Sequence, residues 1–428
     1  MFGVPVGAVS TFTVTAYGVE TLSPEQRRPT GQQPGVTMTR FGDEMRRLMA
    51  EQGVSLRGLA KRVHYDVGYL SKVANGRKPP SAELATALDA ALDADGALTA
   101  LAGTRLPGAT LDPDAEDRLR QAVQHPSRVD AAVVDSLAVT LAAQRRLEDA
   151  IGSVPLVDPV TAQLTVIEDL VRDARGPLRP KVLDVAAQWA QFCGWLYEAN
   201  DRFAPARAWF DRATEWAIEA GNADMVATVL TFQGSLAWRA GHVGSVIGLS
   251  QAALRDRNVY PGQRAFAAMQ EARGHAMAGD GDAADRAIDT ALDLLGLATE
   301  RPEDAPPWLY FHSENFFTLQ RGLTYRYLGR HDRARNGQAV AWLTAGLDGL
   351  PADQRRAEWA GEFVYHLAVA HEQADEPEQA CAVAAEAADI ARQTRAIRLR
   401  AQLQRLHARL AASWPTLPAV TDLGERLA

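Results

Sequence analysis

The stretch VSLRGLAKRVHYDVGYLSKVANG, residues 54–76, has the pattern of two short helices separated by a tight turn. Ser55 and Asp66 are the predicted N-caps of the two helices, because short polar side chains accept hydrogen bonds from the first free amides of a helix. In the second helix, predicted over Val67–Ala74, the apolar residues recur with helical spacing and define a buried side. The stretch therefore predicts two crossing helices that need a partner helix to bury their apolar sides.

Partner helices are predicted on both sides of this stretch. The pattern before it predicts a helix over Phe41–Glu51, with Gly53 after its end. The pattern after it predicts a fourth helix capped by Ser81 and a short fifth helix that begins around Asp95. The sequence therefore predicts a small domain of five helices.

The charge of this region differs from that of the chain as a whole. Residues 40–80 carry nine basic and four acidic residues, whereas the whole chain of 428 residues has a formal net charge of −8. A basic segment on an acidic chain is typical of a nucleic-acid-binding module attached to an acidic body. The alternative is a solvated surface, since Lys and Arg are common on exposed helix faces.

The region resembles the phage-repressor (Xre-type) helix-turn-helix family over residues 40–103. The resemblance lies in Leu59-Ala60, Val63, Leu70-Ser71, Val73 and Asn75-Gly76-Arg77. Leu56 stands where such proteins often have Gln, so one expected DNA contact is missing. His64 replaces the usual Gly of the turn, so a less common backbone conformation is expected there. The resemblance implies that the second helix of the motif enters the major groove of DNA.

The same resemblance implies two sets of DNA contacts. Lys72 is expected to read guanine O6 and N7, and Val67 is expected to contact a thymine methyl group. The base-facing positions are Val67, Gly68, Tyr69, Ser71 and Lys72. The positions expected at phosphates, which set register without reading sequence, are Ser55, Arg57, Tyr65, Asn75, Arg77 and Lys78. A single module of this kind predicts modest specificity, so a homodimer on two half-sites is expected.

From residue 127 onward the chain is patterned as helices and shows a weak internal repeat. Small residues head successive units at spacings of 40, 40, 48 and 46 residues: Gly194, Gly234, Gly274, Gly322 and Ala368. A small residue lets an antiparallel partner helix approach closely. The small, aromatic, Ala, Phe and Ala positions of the first unit resemble the tetratricopeptide (TPR) signature, although the units exceed its ~34-residue norm.

Residues 296–317 interrupt the repeat and are rich in aromatic side chains. One interpretation is a loop followed by a helix whose aromatic side chains face the core. The other is that some of these side chains line a concave groove for a peptide or small effector. The candidate effector-binding residues are Trp238, Arg239, Tyr310, Glu314 and Asn315.

Sequence patterns for catalysis or metal binding are weak. His366 and His371 lie five residues apart, which does not place both on one helix face. The segment GDGDAAD, residues 279–285, lacks the later Glu of a calcium loop and falls where a repeat turn is expected. We therefore expect no catalytic residues, no metal site, no cofactor and no enzymatic activity.

The remaining features set domain limits and location. We expect a disordered extension over 1–37, the helix-turn-helix domain over 38–103, a linker over 104–126 and the repeat domain over 127–428, with Met38 as the natural start. Cys193 and Cys381 lie in helical apolar patterns and are predicted to be reduced and buried, as in a cytoplasmic protein. No apolar run approaches the ~18–20 residues of a membrane span.

Together these patterns predict an all-α protein, a five-helix helix-turn-helix DNA-binding domain followed by a TPR-like α-solenoid. This organisation resembles bacterial helix-turn-helix/TPR regulators. The resemblance implies a sequence-specific transcriptional regulator, cytoplasmic and nucleoid-associated, whose partners are double-stranded DNA and a peptide, small-molecule or protein effector. The alternatives are an adaptor whose solenoid binds a protein, with the helix-turn-helix as a secondary anchor, and an enzyme with a site among the helices.

Overall fold

The computed structural model describes residues 36–75, 82–92, 129–330 and 332–428, and the single positions 80, 94, 98 and 118. The chain divides between residues 108 and 109 into two compact units. The described residues form α-helices and short 3₁₀-helices and contain no strand. The predicted fold class is therefore confirmed: a helix-turn-helix region is followed by a helical repeat region.

The N-terminal unit follows the local signals of the sequence closely. Its helices are α1 (Val36–Glu51), α2 (Leu56–Val63), α3 (Val67–Ala74) and α4 (Ala82–Ala91). The Ser55 hydroxyl accepts a hydrogen bond from the Gly58 amide at 3.1 Å, and the Asp66 carboxylate accepts one from the Tyr69 amide at 2.9 Å. Both predicted N-caps are confirmed, and α3 has the predicted bounds.

One prediction on this unit needs correction, and another falls outside the described residues. Helix α1 begins at Val36, five residues before the predicted start at Phe41, and so includes two residues of the predicted disordered extension. Ser81 and the predicted fifth helix around Asp95 lie outside the described residues, apart from Leu98, which is buried.

The four helices close around a small apolar core. Met45 of α1, Leu59 of α2 and Leu70 of α3 are fully buried together in this core. Gly42 allows α1 to approach the end of α3, because a Cβ atom there would collide with the Ala74 carbonyl. This packing fixes the angle at which α3 leaves the turn.

The turn between α2 and α3 is made by a residue in the left-handed conformation. His64 has φ 56° and ψ 38°, and its amide donates to the Ala60 carbonyl at the end of α2. The sequence predicted an uncommon backbone conformation here, and this is confirmed. A non-glycine residue in this region is strained by its Cβ atom.

The repeat region is built from antiparallel helix pairs in chain order. Its helices are α5 (Ala131–Ile151), α6 (Val157–Asp173), α7 (Arg179–Ala199), α8 (Phe203–Ala220), α9 (Ala223–Arg239), α10 (Val243–Leu254), α11 (Pro261–Ala278), α12 (Gly281–Thr299), α13 (Glu314–Leu328), α14 (Arg333–Asp348), α15 (Ala352–Arg355), α16 (Glu358–Gln373), α17 (Pro377–Thr394), α18 (Ile397–Ser413) and α19 (Pro418–Leu427). Neighbouring helices pack most extensively in the pairs α7 with α8, α11 with α12, α13 with α14 and α16 with α17.

The small residues that head the predicted units do not all have the same role. A Cβ atom at Gly194 would collide with the Phe210 ring of the next helix, and one at Gly322 would lie 2.7 Å from Leu343 of the next helix. The predicted close approach of the second helix is confirmed at both. Gly274 instead packs against Ile247 of the preceding helix, so in that unit the small residue does not have the predicted role.

The first helices of the repeat region contact the last ones. The backbone amide of Ser153 donates to the Glu358 carboxylate at 2.7 Å, and its hydroxyl donates at 3.1 Å. Arg398 of α18 donates to the Glu198 carbonyl at the end of α7 at 3.2 Å. These contacts join positions about 200 residues apart in sequence, so the repeat curves back on itself.

The aromatic segment before α13 faces the core for the most part. Trp308 is buried and its indole N–H donates to the Thr228 hydroxyl at 3.0 Å. Phe316 and Phe317 are buried and contact the ring of His312. The interpretation as core-facing aromatic residues therefore holds for these side chains.

Both cysteines, Cys193 and Cys381, are free and buried, as predicted. Among the described residues, no helix has the length and apolar character that crossing a bilayer requires. No grouping of His, Cys, Asp or Glu suited to hold a metal ion occurs in the described part of the chain.

Candidate nucleic-acid interface and repeat-domain cavity

Helix α3 has one buried and one exposed side, and the predicted base-reading residues lie mainly on the exposed side. Leu70 and Val73 are 0 % and 1 % exposed, whereas Val67 is 36 % exposed. Gly68 and Lys72 are also exposed. We call Val67, Gly68, Tyr69, Ser71 and Lys72 the α3 face.

Two members of the α3 face are partly buried. Tyr69 stacks on Tyr65 with ring centroids 6.0 Å apart, so the two tyrosines form one aromatic ledge beside the turn. Ser71 lies next to the end of α3, where its carbonyl accepts a hydrogen bond from the Asn75 side-chain amide at 2.7 Å. Asn75, predicted at a phosphate, therefore also closes the end of α3.

Four cations of α2 and α3 have no partners among the described residues. Arg57, Lys61, Arg62 and Lys72 are exposed, and no ion pair or hydrogen bond of their side chains occurs in the described part of the chain. Lys61 and Arg62 lie in the last turn of α2, where a positive charge is favoured by the helix dipole. These side chains are available for phosphate oxygens.

The count of basic residues in the sequence overstated the available charge. Arg47 is held between Glu44, at 2.5 Å, and Glu51, and these carboxylates raise its pKa. Arg46 donates to the Ala74 carbonyl at the end of α3. The spacing of three and four residues around Arg47 was the sequence signal for this pairing. The predicted phosphate contacts Arg77 and Lys78 lie outside the described residues.

The repeat region contains an open cavity of about 710 Å³ with an arginine-rich wall. Trp238 and Arg239 lie in its wall together with Tyr327 and Tyr365. We call it the arginine cavity, after its six arginines Arg239, Arg326, Arg330, Arg398, Arg405 and Arg409. Its size lies in the range of small-molecule sites in proteins, ~300–1,000 Å³.

A buried network of ion pairs forms one side of the arginine cavity. The Arg239 guanidinium donates to Glu198 at 2.7 Å and to Glu362 at 3.4 Å, and Arg398 donates to Glu362 at 2.8 Å. Burial opposes ionisation of Glu362, but Arg398 and Arg239 outweigh it and hold the pKa of this carboxyl well below its usual value. Sequence reasoning did not find Glu198, Glu362 or Arg398.

The five predicted effector residues do not share one groove. Trp238 and Arg239 line the arginine cavity, whereas Tyr310, Glu314 and Asn315 do not. Tyr310 donates to Asp149 of α5 at 2.8 Å, and the Asn315 side chain donates to the Gly349 carbonyl at 2.6 Å. Glu314 is the exposed first residue of α13. Tyr310 and Asn315 therefore connect neighbouring segments and do not contribute to the arginine cavity.

Comparison with known proteins identifies the N-terminal unit. Residues 40–102 match the family model described as a helix-turn-helix domain. The chain therefore contains a helix-turn-helix domain. This match and the exposed, cationic surroundings of α3 support a DNA-binding regulator.

No curated protein matches the chain. Among solved structures, the chain is similar to Bacillus thuringiensis PlcR in complex with the peptide PapR7 and DNA. The identity is 12 %, the match covers 85 % of this chain and 99 % of that one, and the TM-score is 0.28. A TM-score of this size carries no conclusion about the ligands of this chain.

Proposed function

We propose that the protein is a sequence-specific transcriptional regulator that inserts α3 into the major groove of DNA, and whose repeat region binds an effector. The observation that supports it best is the construction of α3 within a matched helix-turn-helix domain. Its apolar side is locked into the core by Leu70 and Val73, and Val67, Gly68 and Lys72 remain exposed.

The residues divide into two functional classes. Lys72 is the candidate base-reading cation, because a lysine in the groove donates to guanine O6 and N7. Arg57, Lys61 and Arg62 are candidate phosphate contacts, which fix register and give salt-dependent affinity. We further propose that the protein binds two DNA half-sites as a homodimer, in the manner of Xre-type regulators. Its proposed location is cytoplasmic and nucleoid-associated, and we propose no enzymatic activity.

The test starts from full-length protein and a genomic fragment library, from which bound fragments are enriched and then titrated at several salt concentrations. For Lys72→Ala we expect a loss of about 1–3 kcal/mol on the enriched sequence and a weaker preference over random DNA. For Arg57→Ala we expect weaker binding to all DNA and a salt slope reduced by about 1.

Arg47→Ala is the matched control. This arginine lies in the same unit, but Glu44 and Glu51 neutralise it, so its removal should leave affinity and salt slope nearly unchanged. Absence of salt-sensitive DNA retention by the wild type, or equal losses in Arg47→Ala and Lys72→Ala, would contradict the proposal and favour an adaptor.

A further inference from the structure

The charges of the arginine cavity do not balance. Arg239 and Arg398 are paired with Glu362, and Arg409 donates to Glu372 at 2.6 Å. Arg326, Arg330 and Arg405 form no ion pair with any described carboxylate. Three cations in one cavity are therefore left without a counter-charge among the described residues.

Arg326 is the side chain for which this imbalance matters most. It is 6 % exposed, and its Nε atom is buried without a hydrogen-bond partner among the residues that the structure describes. Its guanidinium donates to the Nδ1 atom of His366 at 3.0 Å. Burial and then the charge of Arg326 lower the pKa of His366 to about 4, so the imidazole is neutral at pH 7. His366 therefore accepts a hydrogen bond from Arg326 but does not balance its charge.

Arg330 adds a second positive charge beside the first. The guanidinium carbons of Arg326 and Arg330 lie 3.9 Å and 4.8 Å from the centroid of the same Tyr327 ring. Partial burial of the Arg330 guanidinium and then the charge of Arg326 lower the pKa of Arg330. A buried cation without a counter-charge costs several kcal/mol, so such an arrangement is typical of a site that an anion completes.

The rest of the wall is suited to the body of an organic ligand. Trp238, Tyr327 and Tyr365 supply aromatic surface, and Phe203 and Val369 add apolar surface. Planar guanidinium groups bind carboxylate and phosphate through paired hydrogen bonds. The cavity therefore combines an anion-binding end with apolar walls, within the size range of small-molecule sites.

We propose that the arginine cavity binds a small organic anion, whose carboxylate or phosphate group pairs with Arg326 and Arg330. This inference rests on the proposed effector role of the repeat region and gives the effector a chemical class. The anion would contact the end of α13 through Arg326 and the turn that follows it through Arg330. Through His366 it would be connected to α16, the helix that carries Glu362.

The test is thermal unfolding of the full-length protein, followed by tryptophan fluorescence. All nine tryptophans lie between residues 189 and 414, so the signal reports on the repeat region alone. Sodium phosphate and sodium acetate are compared with sodium chloride at equal ionic strength. We expect phosphate or acetate to raise the melting temperature of the wild type, and the stronger of the two identifies the anionic group.

The double variant Arg326→Gln/Arg330→Gln should lose this rise and should bind the active anion roughly tenfold or more weakly by calorimetry. Without added anion it should melt no lower than the wild type, because the repulsion between the cations is removed. Arg207→Gln/Arg286→Gln, at two exposed positions outside the cavity, makes the same change of charge and should keep the full response.

Arg330→Gln alone provides a second measurement, because its exposed side chain can be replaced with little effect on folding. It should weaken anion binding at an unchanged melting temperature without anion. No rise in the wild type with either anion, or an equal rise in the two double variants, would overturn the inference. DNA retention by Arg57→Ala and Lys72→Ala is measured separately, so failure of the DNA-binding proposal can be distinguished from failure of the anion-binding proposal.

Discussion

The N-terminal unit and the repeat region use their cationic side chains in opposite ways. In the N-terminal unit, Arg57 and Lys72 are exposed, and their side chains make no ion pair or hydrogen bond within the described residues. In the repeat region, Arg239 and Arg398 are buried and held by carboxylates. The exposed cations contribute little to folding and remain available to a polyanion, whereas the buried ones hold distant helices together.

This difference shows that a count of charges does not identify a functional site. Arg47 lies in the basic segment but is neutralised by its own helix, while Arg326 lies in an acidic chain but has no described carboxylate partner. Burial and pairing decide what each charge can do. The predictions below test this view in the repeat region first, where the expected effects are largest.

Removing the shared carboxylate of the buried network should have the largest effect. Glu362→Gln keeps the shape of the side chain but leaves Arg398 without a carboxylate partner and Arg239 with Glu198 alone. Removal of one partner of a buried ion pair costs about 3–5 kcal/mol. We expect a loss of this size in the free energy of unfolding, measured by denaturant titration with tryptophan fluorescence.

Glu219→Gln is the control for this prediction. Glu219 pairs with Arg179 at 2.6 Å, but its side chain is 49 % exposed, so its removal should cost only about 0–1 kcal/mol. If the two variants lose the same stability, the contrast between buried and exposed charges does not hold in this protein.

A buried histidine without hydrogen-bond partners provides the next test. Neither ring nitrogen of His312 has a hydrogen-bond partner in the described part of the chain, and the ring lies among Phe266, Phe311, Phe316 and Phe317. Burial lowers its pKa to about 3, against an ordinary value of 6.5. The unfolded chain therefore takes up a proton at this residue below pH 6.5 while the folded chain does not.

Above pH 6.5 the proton uptake of His312 does not reduce the free energy of unfolding. As the pH is lowered from 6.5 toward 3, this residue reduces the free energy of unfolding by about 1.4 kcal/mol per pH unit. His312→Phe should remove that slope and should stabilise the protein by about 1 kcal/mol at pH 7, because no polar atom is buried without a partner. The measurement is the difference in unfolding free energy between variant and wild type across this range.

This difference cancels the contributions of other groups that titrate in the same range. One of these is Asp149, whose pKa is raised to about 6 by burial. His242→Phe, at an exposed position, should leave the pH dependence as in the wild type. An unchanged slope in His312→Phe would show that this histidine is protonated in the folded protein.

The sequence predicted the local structure of the N-terminal unit well because caps and turns depend on neighbouring residues. Ser55, Asp66 and the bounds of α3 needed only the first free amides of each helix and the apolar spacing. The close packing at Gly194 and Gly322 could also be predicted from the sequence, since each glycine packs against the helix that follows it in the chain.

The arginine cavity was not predictable in the same way. Glu198 and Arg398 lie about 200 residues apart in sequence and meet only because the repeat curves back on itself. No local pattern reports that curvature, so Trp238 and Arg239 were found as aromatic and cationic residues while Glu362 was missed. The partners of Tyr310 and Asn315 were not predictable for the same reason, since they lie on other segments.

The smallest expected effect concerns the turn that orients α3. His64 has φ 56°, a conformation that glycine adopts without strain and other residues do not. His64→Gly should stabilise the unit by up to about 1 kcal/mol, whereas His64→Ala keeps the Cβ atom and should bring no gain. We expect amide exchange in α2 and α3, followed by mass spectrometry on the full chain, to slow by up to about fivefold in His64→Gly alone. Faster exchange in His64→Gly than in His64→Ala would mean that the flexibility of glycine outweighs the relief of strain, and that the position of α3 depends on the rigidity of this turn.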